Sequence, residues 1–183
     1  MRSIVFTLAL PFCVVLSAQT GTNPESAQLL VTNTVKKAST EQKSAFVAFH
    51  ASWCSWCKRL ENFLDLPEVK PIIGRYFSVL WLTVNERGEN KSLENPGASD
   101  FLKEWTNGVS SGIPFFVLLD SNEKVVASSI RAINPGDKPG NIGFPGNEVE
   151  RKSFVDFLKV GAPNMSATEE SVIIKGLESI MAK

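Results

Sequence analysis

The chain has 183 residues but a single histidine, His50, and only three cysteines. A closed zinc or iron–sulfur site wants four ligands, and so small a supply of imidazole and thiol leaves such a site little to draw on. An excess of one charge is missing as well, since 19 basic residues face 19 acidic ones. No basic surplus directs the protein to nucleic acid, and net charge selects no class of partner. A long apolar run is the third absence. The stretch from Ile4 to Leu16 holds about a dozen residues, short of the roughly 20 that a bilayer-spanning helix needs. It follows the one positive charge of Met1-Arg2-Ser3 and ends at the small pair Ser17-Ala18, which is the pattern of a cleaved signal peptide. Leu10-Pro11-Phe12-Cys13 lacks the small residues that precede a bacterial lipoprotein cysteine. The expectation is a signal peptide over 1–18 and one soluble exported domain over 19–183. That domain is expected to be periplasmic or secreted, monomeric, and without stable membrane insertion after cleavage.

Export changes the meaning of the cysteines. Cys13 leaves with the signal peptide, so the mature chain keeps Cys54 and Cys57, both inside Cys54-Ser55-Trp56-Cys57. Two thiols at that spacing can form a disulfide with each other. A domain of about 165 residues can build its core without staples. A bridge closing so small a loop also removes little entropy from the unfolded chain, so stapling is a poor reason for the pair. Carriage of a metal ion by both thiols with His50 stays open as an alternative. Covalent haem attachment needs a histidine directly after the second cysteine, and Lys58 stands there.

The local pattern says where the pair sits. Ala45 to His50 is short, apolar and bounded by turns, as a buried strand should be, while Leu60, Phe63 and Leu64 restore helical spacing. The motif therefore falls where a strand turns into a helix. Unpaired N–H groups and the positive dipole end of a helix stabilise a thiolate, so Cys54 is expected to be the acidic, exposed thiol and the nucleophile. Lys58 and Arg59 can add to that effect, although a solvated first helical turn is the better account of them.

Elsewhere the periodicity alternates between helix and strand. Asn23-Pro24-Glu25 reads as the start of a helix whose apolar face is Ala27, Leu30, Val31 and Val35. Pro67 to Tyr76 reads as a short helical segment, Phe77 to Val84 as a strand, and Asn85 to Ser99 as a long polar loop. Ala98 to Asn107 can form a helix that Gly108 ends. Phe115 to Leu119 reads as a buried strand that turns at Asp120 to Glu123 into a hairpin partner, Lys124 to Ile130. Pro135 to Gly146 is rich in glycine and proline, Val149 to Val160 is helical, and Ser166 with Glu169 forms a capping box for a last helix lined by Ile173, Leu177 and Ile180.

That order, together with Trp53-Cys54-Ser55-Trp56-Cys57-Lys58 and Gly112-Ile113-Pro114, resembles thioredoxin over roughly Pro24 to Val160. Leu66-Pro67-Glu68-Val69 after the motif helix is similar to a segment of exported bacterial thioredoxin-like proteins. The resemblance implies an α/β thioredoxin fold, with a central mixed sheet flanked by helices, loop insertions and an extra C-terminal helix. It implies that Cys54 attacks a substrate disulfide, that Cys57 resolves the mixed disulfide, and that a cis Pro114 faces the pair. With that geometry the backbone of Ile113 can pair with an extended substrate segment, and Trp53 would pack beside Cys54. No bound cofactor is implied. The partners implied are thiols and disulfides of exported proteins and a separate redox protein.

The departures from the family are informative. The buried aspartate that thioredoxins carry six residues before the first cysteine is Ala48 here, and its companion lysine falls in the uncharged Leu80-Trp81-Leu82 region. Proton transfer at Cys57 is then left to water, substrate or His50. Ser55-Trp56 matches neither the Gly-Pro of cytosolic thioredoxins nor the Pro-His of strong periplasmic oxidants, so Trp56, Lys58 and His50 stand as candidate modulators of the thiols. Ile113-Pro114 resembles the reducing members, which makes reduction or interchange the expected direction. The rival reading is a binding or chaperone-like module whose disulfide is quiet. The insertions 85–99 and 131–147 are expected to form a rim that restricts docking, with Phe144 offering an apolar contact.

Overall fold

The computed structural model describes residues 24–109, 111–132 and 136–182. The predicted signal peptide with Cys13, the predicted cap Asn23, and residues 133–135 of the 131–147 insertion lie outside the described residues. β1 (Ser44–His50) pairs in parallel with β2 (Phe77–Thr83) and antiparallel with β3 (Phe115–Leu119), and β3 pairs antiparallel with β4 (Val125–Ser128). The resulting order is β2-β1-β3-β4. Successive strand side chains point to opposite faces. Val47 and Phe49 with Phe115 and Val117 therefore pack on one side, under α1 (Ala27–Thr40) and α4 (Ala98–Trp105). Phe46 and Ala48 with Phe116 and Leu118 pack on the other, against α2 (Ser55–Leu64), α3 (Lys70–Tyr76), α5 (Glu148–Gly161) and α6 (Ala167–Met181). Phe116 lies 5.6 Å from Phe46, 5.4 Å from Phe154 and 5.0 Å from Phe157 between ring centres. Covering both faces is why β1 and β3 are continuous apolar runs rather than alternating ones.

The ends of the elements differ from the sequence reading in instructive ways. α1 is capped by Ser26, whose Oγ accepts the Leu29 N–H at 3.3 Å. Serine serves this position as well as asparagine, so the helix starts three residues later than Asn23-Pro24-Glu25 suggested. The segment predicted from Pro67 begins at Lys70, with Pro71 in its first turn. Asn85 to Ser99 is not a plain loop: Gly88–Leu93 forms a 3-10 helix. Part of the Gly/Pro-rich stretch is likewise structured, because β5 (Ile130–Arg131) and β6 (Gly140–Asn141) pair as a second small sheet. α6 has the predicted Ser166/Glu169 capping box. Glu169 also accepts from Arg75 at 2.5 Å and from the Tyr76 hydroxyl at 3.1 Å, which ties α6 to α3.

α6 packs behind the motif helix at Gly176. A Cβ there would lie 2.8 Å from Val69 Cγ2 and 3.1 Å from Phe63 Cε2. Gly176→Ala gains about 1 kcal/mol of helix propensity, but forcing a methyl against two buried side chains costs about 1–3 kcal/mol. The expected result is a net loss of about 1 kcal/mol, read as a lower midpoint in urea unfolding.

Candidate active site

Cys54 is the N-cap of α2, and its Sγ accepts the Cys57 N–H at 3.1 Å. The two sulfurs form a disulfide of 2.02 Å, with the Cα atoms 5.3 Å apart. Placing a sulfur where a helix otherwise wants a hydroxyl or carboxylate cap gives it a donor aimed at any negative charge it acquires. Cys54 is 3% exposed and Cys57 is fully buried. Cys54, expected to be exposed, is buried, because Ile113 and Ala51 pack against the pair. The Ile113-Pro114 peptide is cis, and the Ile113 carbonyl touches Cys54 Sγ at 3.5 Å.

The loop before the motif is held by a carboxylate that the sequence reading missed. Glu86, three residues after the end of β2, is 3% exposed. Its oxygens accept the Ser52 N–H and the Ser52 hydroxyl, both at 2.6 Å. Asn90 Nδ2 donates to the same hydroxyl at 3.1 Å, and Glu94 accepts the Glu86 N–H at 2.8 Å. Burial pushes the Glu86 carboxyl up, but the Ser52 hydroxyl and amide, the His50 charge and the Arg87 N–H together outweigh it and leave the group below the ordinary value. Next to it, Trp53 Nε1 donates to the Asn85 carbonyl at 2.7 Å, and the Arg87 guanidinium lies 4.0 Å over the Trp53 ring. Only the position of Glu86, just past a strand in a long loop, could have drawn attention to it.

A second missed residue holds the other side. Asn141 Nδ2 donates to the carbonyls of Gly112 at 2.7 Å and Pro114 at 3.0 Å, the residues on either side of Ile113, while its Oδ1 accepts the Gly143 N–H at 3.1 Å. Phe144 corrects the expectation of an exposed contact. It is 6% exposed and lies in the core, with its ring 6.1 Å from that of Trp56. Trp56 is the exposed partner, and Arg59 lies 5.1 Å over its ring while donating to the Ile180 carbonyl at 3.2 Å. Lys58 is exposed on the first turn of α2. Both ring nitrogens of His50 are engaged by other partners: Nδ1 meets Glu61 at 2.5 Å and Nε2 meets the Thr83 hydroxyl at 3.1 Å. Among the described residues no group of three His, Cys, Asp or Glu side chains is placed to hold a metal ion.

A mixed sheet, a C-x-x-C pair at the start of the helix that follows its central strand, and a cis-proline loop against the first cysteine define a thioredoxin-fold protein with a dithiol–disulfide site. A family model described as thioredoxin-like matches residues 28–121, which run from α1 to the turn after β3, and the chain belongs to that family. No curated protein matches the chain. Among solved structures it is similar to a disulphide isomerase from Xylella fastidiosa Temecula1, with 18% identity, 95% of this chain and 98% of that one covered, and a TM-score of 0.48. It is also similar to a DsbH oxidoreductase, with 19% identity, coverage of 78% and 85%, and a TM-score of 0.44. A third similar structure is the DsbD C-terminal domain of Neisseria meningitidis in the oxidised form, with 20% identity, coverage of 63% and 84%, and a TM-score of 0.37.

The Glu86 clamp gives a pH-dependent prediction. Because the folded carboxyl sits below the ordinary value of 4.5, its stabilising contribution is present above that value and is lost as the pH falls through the folded one. Glu86→Gln keeps an acceptor for Ser52 but loses the charge, and should cost about 1–2 kcal/mol at neutral pH in urea unfolding. The gap between the two proteins should close as the pH is taken from about 6 to about 3.

Proposed function

We propose that the protein is an exported thiol–disulfide oxidoreductase that reduces or interchanges disulfides of other exported proteins through Cys54 and Cys57. The observation that carries this reading is the closed Cys54–Cys57 disulfide at the N-terminus of α2, with Cys54 Sγ facing the Cys57 N–H and Cys57 fully buried beneath it. In the reduced protein the Cys54 thiolate attacks one sulfur of a substrate disulfide. A Cys54–substrate disulfide forms and the other substrate sulfur leaves as a thiolate. Cys57 then gives up its proton and attacks Cys54 Sγ, which forms the intramolecular disulfide and releases the second substrate sulfur. The substrate gains two electrons and two protons, and the protein loses them. A dithiol reductant must restore the pair before the next turn.

The remaining residues are given supporting roles in this reading. Ile113 and Pro114 present backbone beside the attacked sulfur, and Trp53 borders it. Trp56 and Lys58 adjust the surroundings of Cys54, and His50 with Glu61 is the titratable pair nearest in sequence to the motif. Export is supported by the apolar segment Ile4 to Leu16 with its small-residue end. No helix among the described residues is long and apolar enough to cross a membrane.

Cys57→Ala removes the resolving thiol and should trap the intermediate. Expressed in an exporting cell, this variant is expected to accumulate mixed disulfides through Cys54 that collapse on treatment with dithiothreitol, while the double variant lacking Cys54 accumulates none. Absence of such adducts from Cys57→Ala would assign the disulfide to a quiet binding module.

A further inference from the structure

One indole precedes the cysteine pair and one lies between its members, and each carries a guanidinium on its face: Arg87 lies 4.0 Å over Trp53, and Arg59 lies 5.1 Å over Trp56. Both indoles are open to solvent, at 43% and 48% exposure. Each is also braced, Trp53 by its hydrogen bond to the Asn85 carbonyl and Trp56 by the buried Phe144 ring. Braced side chains give up little rotamer entropy when a partner arrives.

The charges on this face are unbalanced in a specific way. Lys58, Arg59 and Arg87 enter no ion pair among the described residues. The neighbouring carboxylates are turned to internal tasks. Glu86 holds Ser52, Glu94 takes the Glu86 N–H and Lys91, and Glu61 takes His50. Glu89, in the 3-10 helix two residues after Arg87, is the acid of this segment whose carboxylate no described side chain engages. A protein whose net charge is zero thus carries, in or next to its cysteine motif, three cations with no ion pair among the described residues, two of them resting on indole faces.

We infer that the site takes disulfides carried in extended, acidic peptide segments, in which carboxylates beside the substrate cysteine meet Arg87, Lys58 and Arg59 while the chain lies across the two indoles. This inference rests on the oxidoreductase reading above and names its substrate class. The covalent step is the two-electron exchange already described. The cations act before it, by raising the encounter rate of an acidic segment and by fixing its position over Cys54.

The test compares three peptides that contain the same disulfide and differ only in flanking Glu, Gln or Lys. Each is mixed with the reduced protein, acid-quenched and separated chromatographically. Each rate is divided by that of the same peptide with 2-mercaptoethanol, an uncharged thiol, which removes the effect of the flanks on sulfur reactivity. The expected order is Glu, then Gln, then Lys, with about a tenfold span at low ionic strength that shrinks to about twofold in 0.5 M salt. Arg87→Gln should slow the Glu peptide several-fold more than the Lys peptide. Equal normalised rates, or a preference that salt does not reduce, would overturn the acidic substrate class while leaving the oxidoreductase reading in place. No exchange with any of the three would overturn both.

Discussion

The register between β1 and β3 sets Phe49 across from Phe115 as the last pair of the ladder, and the rest of the site depends on that pairing. Directly beyond it, one strand leaves through Ala51 to Cys54 while the other enters through Ile113 and Pro114. The loop that leads to Cys54 and the cis-proline loop are thus delivered to the same end of the sheet at contact distance. A slip of one residue would turn phenylalanines out of the core under α1 and α4 and out of the core against α2, α3, α5 and α6, so the hydrophobic content of both layers enforces the register. The core therefore positions the chemistry as well as stabilising the fold.

Around that frame, the two insertions act as struts. Residues 85–94 hold the approach to Cys54 through Glu86, Asn85 and Arg87, and residues 140–144 hold the cis-proline loop through Asn141 and support Trp56 through Phe144. Each strut ends in a polar group that satisfies backbone donors or acceptors which would otherwise be stranded near the buried sulfurs. A buried carboxylate is expensive unless it is fully hydrogen-bonded, and Glu86 meets that condition by capturing both donors of Ser52. What the strands leave as two flexible connections is thereby converted into fixed walls around the cysteine pair.

The sequence was most legible where one physical signal dominated. β1 and β3 are buried on both faces and so read as uninterrupted apolar runs, and the cap of α6 is announced by Ser166 and Glu169 at the capping-box spacing. The position of the cysteines between a strand and a helix followed from the change of period. The cis peptide at Pro114 came from the family resemblance, since nothing local to Gly112-Ile113-Pro114 dictates it. Glu86 and Asn141 were illegible because their roles are defined by partners 34 and 27 or more residues away, and an isolated Glu or Asn in a polar loop carries no pattern. Phe144 was misread for a related reason: between glycine and proline it looks like a loop residue, yet tertiary packing draws it into the core beneath Trp56. Ser26 displaced Asn23 as a cap because adjacent capping residues compete on nearly equal terms.

The central claim is that the N-terminus of α2 makes Cys54, and not Cys57, the nucleophile of the pair. The most direct measurement is the pH dependence of alkylation of the reduced protein by iodoacetamide, with the modified cysteine identified by mass spectrometry. The account predicts that Cys54 is modified first, with a midpoint below the ordinary thiol value of about 8.5, while Cys57 stays protected in the folded protein. Modification of Cys57 first, or a Cys54 midpoint at or above about 8.5, would contradict it.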